Sequence, residues 1–422
     1  MTRSAGSPRE APRPRLILLS QWFDPEPTFK GRLFAEALYA RGFDIEVVTG
    51  FPNYPGGKLY PGFRIRPIQR EKIGPIDVIR LPLYPSHDGS AAGRAANYVS
   101  FFLSACLYLL LGARRADILY VYHPPVTVGC AAAIARLFRR TPTVIDIQDL
   151  WPDTLKATGM IGHPRLLALI GRLCRWLYRQ IDHIVVLSPG FRDVLVARGV
   201  PESKISLIYN WADEQAVAGD GFATPPALAE AGRFRVMFAG NMGRAQALAN
   251  VLDAAVLLAP RAPQVEICLM GGGIEVSALQ DQARERGIAN VRFLPQVPMH
   301  EVGAYLNAAD CLLVHLRDDP LFSITIPSKT QAYLAAGKPI IMAVPGDAAS
   351  LIHDSASGLV VPPEDPVALA DAIARLARLP AEDIARMGEA AKHYYDGHLS
   401  LDKGAEAFAA TFREVLAEKG GR

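Results

Sequence analysis

Paired cysteines are the first thing this sequence lacks. Its five cysteines, Cys106, Cys130, Cys174, Cys268 and Cys311, lie far apart in apolar stretches and form no Cys-x-x-Cys pair. Such spacing excludes a disulfide framework and reads as small buried hydrophobes in a reducing compartment. A long hydrophobic run is missing too. The longest, 98–111, has 14 residues and includes two serines, whereas a spanning helix needs roughly 20. The expectation is that it does not cross a bilayer on its own. Residues 1–14, rich in Pro, Arg and Ser, read as a disordered tail rather than a signal peptide. Several reactive signatures are also absent: no Walker A loop, no His-Glu-x-x-His, no Gly-x-Ser-x-Gly elbow, no zinc-ligand spacing and no Asp-x-Asp clamp.

What is present is a chain of 422 residues, half of them hydrophobic and 21% charged, long enough for two domains with their own cores. Net charge is only +3, unevenly spread. Residues 1–212 carry 27 Lys and Arg against 16 Asp and Glu (+11), and residues 213–422 carry 18 against 26 (−8). The basic half suits an anionic partner: lipid headgroups, a lipid pyrophosphate or nucleic acid. Random drift of surface charge between domains is the alternative.

Short apolar runs rich in Leu and β-branched residues predict strands at 15–20, 44–49, 76–81, 117–122, 142–146, 183–187 and 205–208. Helical stretches at 33–41, 94–111 and 166–180 lie between them, and Ser188-Pro189 reads as a helix start. Residues 213–233, rich in Ala, Gly, Pro and acid, read as a linker. A second set of strands follows at 234–239, 265–270, 291–293, 311–315, 339–343 and 358–361, then an Ala-rich helical tail. This alternation predicts two doubly wound, Rossmann-like α/β domains, at 15–212 and 234–395, facing across a cleft. The segment 396–422 is expected to pack back on the first domain.

Four stretches carry chemistry. The Pro- and Gly-bearing loop 21–32 leads into a helix N-terminus, where backbone N–H groups can meet a phosphate or sugar. YVYHPP (120–125) places His123 just past a strand, where it is either structural or catalytic. DIQDLWPD (146–153) crowds three carboxylates at a strand end, costly unless exposed or hydrogen-bonded. Asp149 is best placed to reach a cleft, Asp146 can be a buried structural acid, and Asp153 can cap the next helix. FAGNMGRAQAL (238–248) and IPSKTQAYLAAGKP (326–339) each set a base near a helix start, Arg244 and Lys329. Two such cations and a helix N-terminus can stabilise a departing diphosphate without a metal. Either base alone can equally be a solvated loop cation. Gly271-Gly272-Gly273 after a strand resembles a phosphate-approach turn, though glycines there are as often conformational.

Together with GFPNYPGGKLYPGFR (50–64), these motifs resemble the retaining GT-B glycosyltransferases, the group of glycogen synthases and bacterial mannosyltransferases. They are similar in particular to the fucosaminyltransferase-like subgroup of O-antigen, capsule and exopolysaccharide assembly. The resemblance implies a metal-independent hexosyl- or N-acetylhexosaminyl-transferase, with a nucleotide-sugar, most simply a UDP-sugar, as co-substrate and no other cofactor. It implies catalytic roles for His123, Asp149, Arg244 and Lys329. It also implies donor contacts at Gly31, Asn210, Asn241, Gly243, Gly272, Gln296, Val297, Ser328 and Thr330. The acceptor it implies is a polyprenyl-pyrophosphate-linked saccharide at the inner face of the plasma membrane, with no nucleic acid partner. The chain departs from the family where two glutamates usually stand eight positions apart: Ile324 and Ala332 are there instead. A sugar-nucleotide epimerase on the same fold and an inactive membrane scaffold are the competing readings.

The helix at 165–180 adds a physical pointer to a membrane. Arg172, Arg175 and Arg179 form one stripe, Leu166, Leu169, Ile170, Leu173 and Leu177 another, and Trp176 and Tyr178 suit a headgroup boundary. A packed domain helix with solvated arginines is the alternative.

Overall fold

A computed structural model describes residues 13–86, 91–217, 219 and 221–420. Strands β1 (Arg15–Leu19), β2 (Asp44–Gly50), β3 (Gln69–Ile73), β4 (Ile76–Leu81), β5 (Ile118–His123), β6 (Thr143–Ile147), β7 (His183–Val186) and β8 (Ile205–Leu207) form one sheet. Their order is β3-β4-β2-β1-β5-β6-β7-β8. β9 (Phe234–Ala239), β10 (Val265–Met270), β11 (Val291–Leu294), β12 (Cys311–His315), β13 (Ile340–Ala343) and β14 (Gly358–Val360) form a second, ordered β11-β10-β9-β12-β13-β14. Strands of the central positions are buried on both faces, which is why they read as continuous Val, Ile and Leu. Both sheets are doubly wound α/β layers. In each, strand order reverses beside the first strand, at β1/β5 and at β9/β12. Ligands of such sheets bind beyond the carboxyl ends of the strands at that reversal.

β3 has no counterpart among the expected strands. QREKI pairs antiparallel with β4 at the sheet edge, its residues alternating between half-buried and exposed. The fold divides into two compact units. The first runs to Asp149 and adds Gly171–Val185 and the chain from Ala405; the second holds Leu150–Ile170 and Val186–Gly404. Residues 213–233 are not a free linker. Ala216, Val217 and Leu228 are buried in the second unit's core, because this alanine-rich segment carries apolar side chains on two short helical turns. The tail expected at 1–14 lies outside the described residues up to 12. Pro14 already accepts a hydrogen bond from Asp44 N at 2.9 Å.

In the first unit, the C-terminal Leu401–Gly420 helix buries Phe408 and Phe412 against Tyr120, Phe34 and Phe43. Ring centroids there lie 5.1–5.8 Å apart, mostly edge to face, worth about 0.5–1.5 kcal/mol per pair beyond area burial. This cluster fixes β5, and with it the strand end that carries His123.

Candidate active site

In the second unit, the Ser328–Ala335 helix starts at Pro327 with no side chain capping its first turn, which leaves donors for an anion. From that turn Lys329 reaches back over the ring of Phe238, its Nζ 3.6 Å from the centroid. Its Nζ is sealed from solvent with no hydrogen-bond partner among the described residues, and so is Thr330 Oγ1. Burial pushes the ammonium down to about 7. Gly240 stands beside this ammonium, and two further glycines bring the neighbouring loop against its own. A Cβ on Gly240 (φ +142°) would come 3.4 Å from Lys329 Nζ. On Gly271 (φ +139°) one would stand 2.0 Å from Gly240 O, and on Gly273 (φ +145°) 2.4 Å from Met242 O. The loops after β9 and β10 thus meet backbone to backbone, as they must for a phosphate-sized group to reach main-chain N–H groups.

The remaining expected donor residues divide. Gly272 lies in the same glycine turn, where a Cβ would strike Gln296 Oε1 at 2.8 Å. Gly243 N donates to Gln246 Oε1 at 3.0 Å, and Asn241 and Ser328 are exposed while Asn210 is buried. Gln296 is exposed, and Val297 packs against the core. Arg244 is not held beside Lys329's buried ammonium. It begins a three-residue 3-10 turn, its side chain 82% exposed and 3.6 Å from Glu275. At the two positions where the family has glutamates, Ile324 packs over Gly190, and Ala332 lines the core. Gln331 is buried, its amide nitrogen placed to donate to the carbonyls of Pro327 and Ser328 at 3.0 and 3.2 Å.

The first unit gathers a different set. His123 ends β5 fully buried, and burial pushes its imidazole down to about 4, so it stays neutral near pH 7. Asp146 is a buried structural acid: Tyr120 Oη donates to it at 2.8 Å, Gln148 Nε2 at 2.6 Å, and Lys30 Nζ lies 3.7 Å away. Lys30 itself sits over the ring of Phe408. At Gly31 the helix start is already occupied. Asp24 accepts from Arg32 N at 2.6 Å, and a Cβ on Gly31 would fall 2.4 Å from that carboxylate. Asp153 does not cap its helix; it pairs with Arg198.

Asp149 differs from both neighbouring acids. It is half-buried, and burial pushes its carboxyl up to about 6; burial also raises Tyr54, Tyr98 and Tyr122, with a smaller push from the Asp149 charge. Trp22 lies against Tyr54, ring centroids 4.9 Å apart. A carboxylate among phenols and an indole offers both acceptors and apolar faces, the two things a sugar ring presents partners for.

Sequence reasoning missed the scaffold under this group. Buried Glu26 accepts from Asn53 N and Tyr54 N at 2.7 and 2.8 Å, and from Phe23 N at 3.3 Å. Burial pushes Glu26 up to about 7 against the pull of those donors. Gln21 Nε2 donates to Asn97 Oδ1, and Asn97 Nδ2 to Asn53 Oδ1 and Tyr84 O. These bonds tie the loops after β1 and β2 to the Ala91–Leu107 helix and hold Tyr54 in place.

Comparison with known proteins agrees with the two doubly wound sheets. Residues 32–211 match the glycosyl transferase 4-like domain, and residues 225–394 match the glycosyl transferases of group 1. The chain is therefore a group 1 glycosyltransferase of the GT-B fold. It is 27% identical to a protein named as the glycosyltransferase WbjE of Pseudomonas aeruginosa, over 77% of this chain and 81% of that one. It is 26% identical to one named as the colanic acid biosynthesis glycosyl transferase WcaI of Escherichia coli (strain K12), over 75% and 79%. Anabaena HepE, solved in complex with UDP and glucose, shares the fold at a TM-score of 0.65 and 16% identity, over 95% and 100% of the two chains.

Proposed function

We propose that the chain moves a hexosyl or N-acetylhexosaminyl group from a UDP-sugar to a lipid-linked saccharide in surface polysaccharide assembly. The observation that carries this reading is Lys329: a buried cation with no hydrogen-bond partner among the described residues, beside Gly240 and at an uncapped helix start. In the reaction the bond from the anomeric carbon to the β-phosphate oxygen breaks, and its electron pair leaves on the diphosphate. The Lys329 ammonium and the first N–H groups of the Ser328–Ala335 helix take up that charge. Arg244, on its exposed turn, is free to swing toward the phosphates when donor arrives. The acceptor hydroxyl forms the new bond, and its proton goes to the departing phosphate oxygen on the same face, with retention. Asp149 holds the acceptor through its hydroxyls, among Tyr54, Tyr98 and Trp22. Neutral His123 contributes a shaped wall rather than a charge. WbjE and WcaI, through the names they carry, support the polysaccharide setting.

The same reading places the protein on the cytoplasmic face of the plasma membrane. Arg172, Arg175 and Arg179 of the Pro164–Gln180 helix are exposed, as are Leu166, Leu169 and Leu173 beside them. Tyr178, expected at the headgroup boundary, is instead buried.

The test is turnover across a panel of nucleotide sugars with EDTA present. One UDP-sugar should be consumed in the presence of membrane acceptor, at a rate unchanged by the chelator. A strict requirement for Mg²⁺ or Mn²⁺ would mean that a metal, not Lys329, carries the leaving charge.

A further inference from the structure

The run at 98–111, expected to be too short for a membrane, is part of something longer. The Ala91–Leu107 helix continues through a π-helical turn, Tyr108–Gly112, so that Ala92–Gly112 is one 21-residue helix, long and apolar enough to cross a bilayer. Length and composition are all that qualify it. One face is built into the first unit: Asn97, Phe101, Ala105, Tyr108 and Leu109 are buried, and Ser104 Oγ donates to Pro82 O at 2.6 Å. Among the described residues the opposite face has no such cover. Val99, Leu103, Leu107 and Leu111 recur every fourth residue, 50%, 59%, 62% and 78% exposed, more so toward the C-terminal end. At that end stand Leu137 and Phe138 of the Val126–Arg139 helix, 51% and 74% exposed. The two helix ends are tied together by Arg139, which donates to Leu110 O at 2.9 Å and to Ala113 O at 2.7 Å. Around this apolar tip Arg114, Arg115 and Arg140 are exposed, and none forms an ion pair among the described residues.

We propose that this face of the first unit is a bilayer-docking surface, its leucines and Phe138 entering the acyl boundary and its arginines meeting anionic phosphates. Apolar side chains at a helix surface with arginines at the rim match an interfacial helix lying in the headgroup plane. A second copy of the chain fits less well, since a two-fold contact sets the same arginines against each other. The proposal deepens the reading that the acceptor is membrane-held, and it names the face that reaches it.

Sedimentation with vesicles of phosphatidylglycerol and phosphatidylcholine tests it, with phosphatidylcholine alone as the comparison. The wild-type protein should sediment with the anionic vesicles. A variant carrying L107S, L111S and F138S should lose about tenfold or more in partitioning. R114E, R115E and R140E together should lose at least as much on anionic vesicles, with little change on neutral ones. UDP binding should be unchanged in both variants, whose substitutions are all in the first unit while Lys329 is in the second. Wild-type protein that ignores anionic vesicles, or variants that bind as well as wild type, would overturn the proposal. So would a dimer in sedimentation velocity that L107S, L111S and F138S dissociate without any vesicle binding. Transfer to a water-soluble acceptor reports separately on the enzymatic reading, so failure at the vesicle step with turnover intact removes only the docking face.

Discussion

Lys329→Met should make the protein more stable and nearly inactive at once. A buried ammonium with no hydrogen-bond partner among the described residues is a cost to the free enzyme, and methionine keeps the volume while removing the charge. Burial pushes Lys329 down to about 7, so the cost is fully present below pH 7. It fades as the pH rises toward the unfolded value near 10.4, because only the folded form has then lost its proton. Thermal unfolding near pH 7 should therefore move up by a few degrees, reflecting on the order of 1–4 kcal/mol. The gain should shrink in scans near pH 10. Transfer should fall by a factor on the order of 10²–10³, the usual loss when one preorganised charge contact is removed, about 3–4 kcal/mol of barrier. A variant that is neither more stable nor slower would mean that Lys329 is a structural residue with compensation elsewhere.

Asp149→Asn is the second large effect. Asparagine keeps the size of the side chain and loses the charge that binds acceptor hydroxyls. Turnover should drop about 10²-fold or more, while UDP affinity, set in the other unit, should change little. Because burial pushes Asp149 up to about 6, wild-type turnover should rise with pH through that value as the carboxylate forms, and the variant should lack this limb. Stability carries the matching sign. The ionised carboxylate costs the fold nothing below its unfolded value near 3.9, a growing amount up to about 6, and a constant amount beyond. The asparagine variant should accordingly gain melting temperature at pH 8 and little or none at pH 4. A fall in UDP affinity as steep as the fall in turnover would move Asp149 to the donor.

How much of this was legible beforehand follows from how locally each feature is encoded. Thirteen of the strands stand out because buried parallel strands are short runs of Val, Ile and Leu. β3 stays hidden because an edge strand such as QREKI needs no apolar face. Lys329 and Asp149 could be named because each follows a strand end and begins or precedes a helix. What could not be read is their state. Nothing local tells that Lys329 is sealed above Phe238 while Arg244 stands in solvent, or that Asp146 is enclosed by Tyr120 and Lys30 while the Asp149 carboxylate has no hydrogen bond among the described residues. The network of Gln21, Glu26, Asn53 and Asn97 is invisible for the same reason. Its partners stand 27 to 76 residues apart, and Asn and Gln in loops carry no pattern that separates a buried tie from a solvated turn.

The central claim is that the donor's diphosphate meets the Lys329 ammonium, and calorimetry of UDP binding tests it most directly. Titrations at pH 8 in buffers of different ionisation enthalpy count the protons exchanged. With free Lys329 at about 7 and a bound diphosphate restoring its charge, wild-type protein should take up close to one proton per UDP at pH 8, and Lys329→Met none. UDP binding with no proton uptake in the wild type would contradict the account.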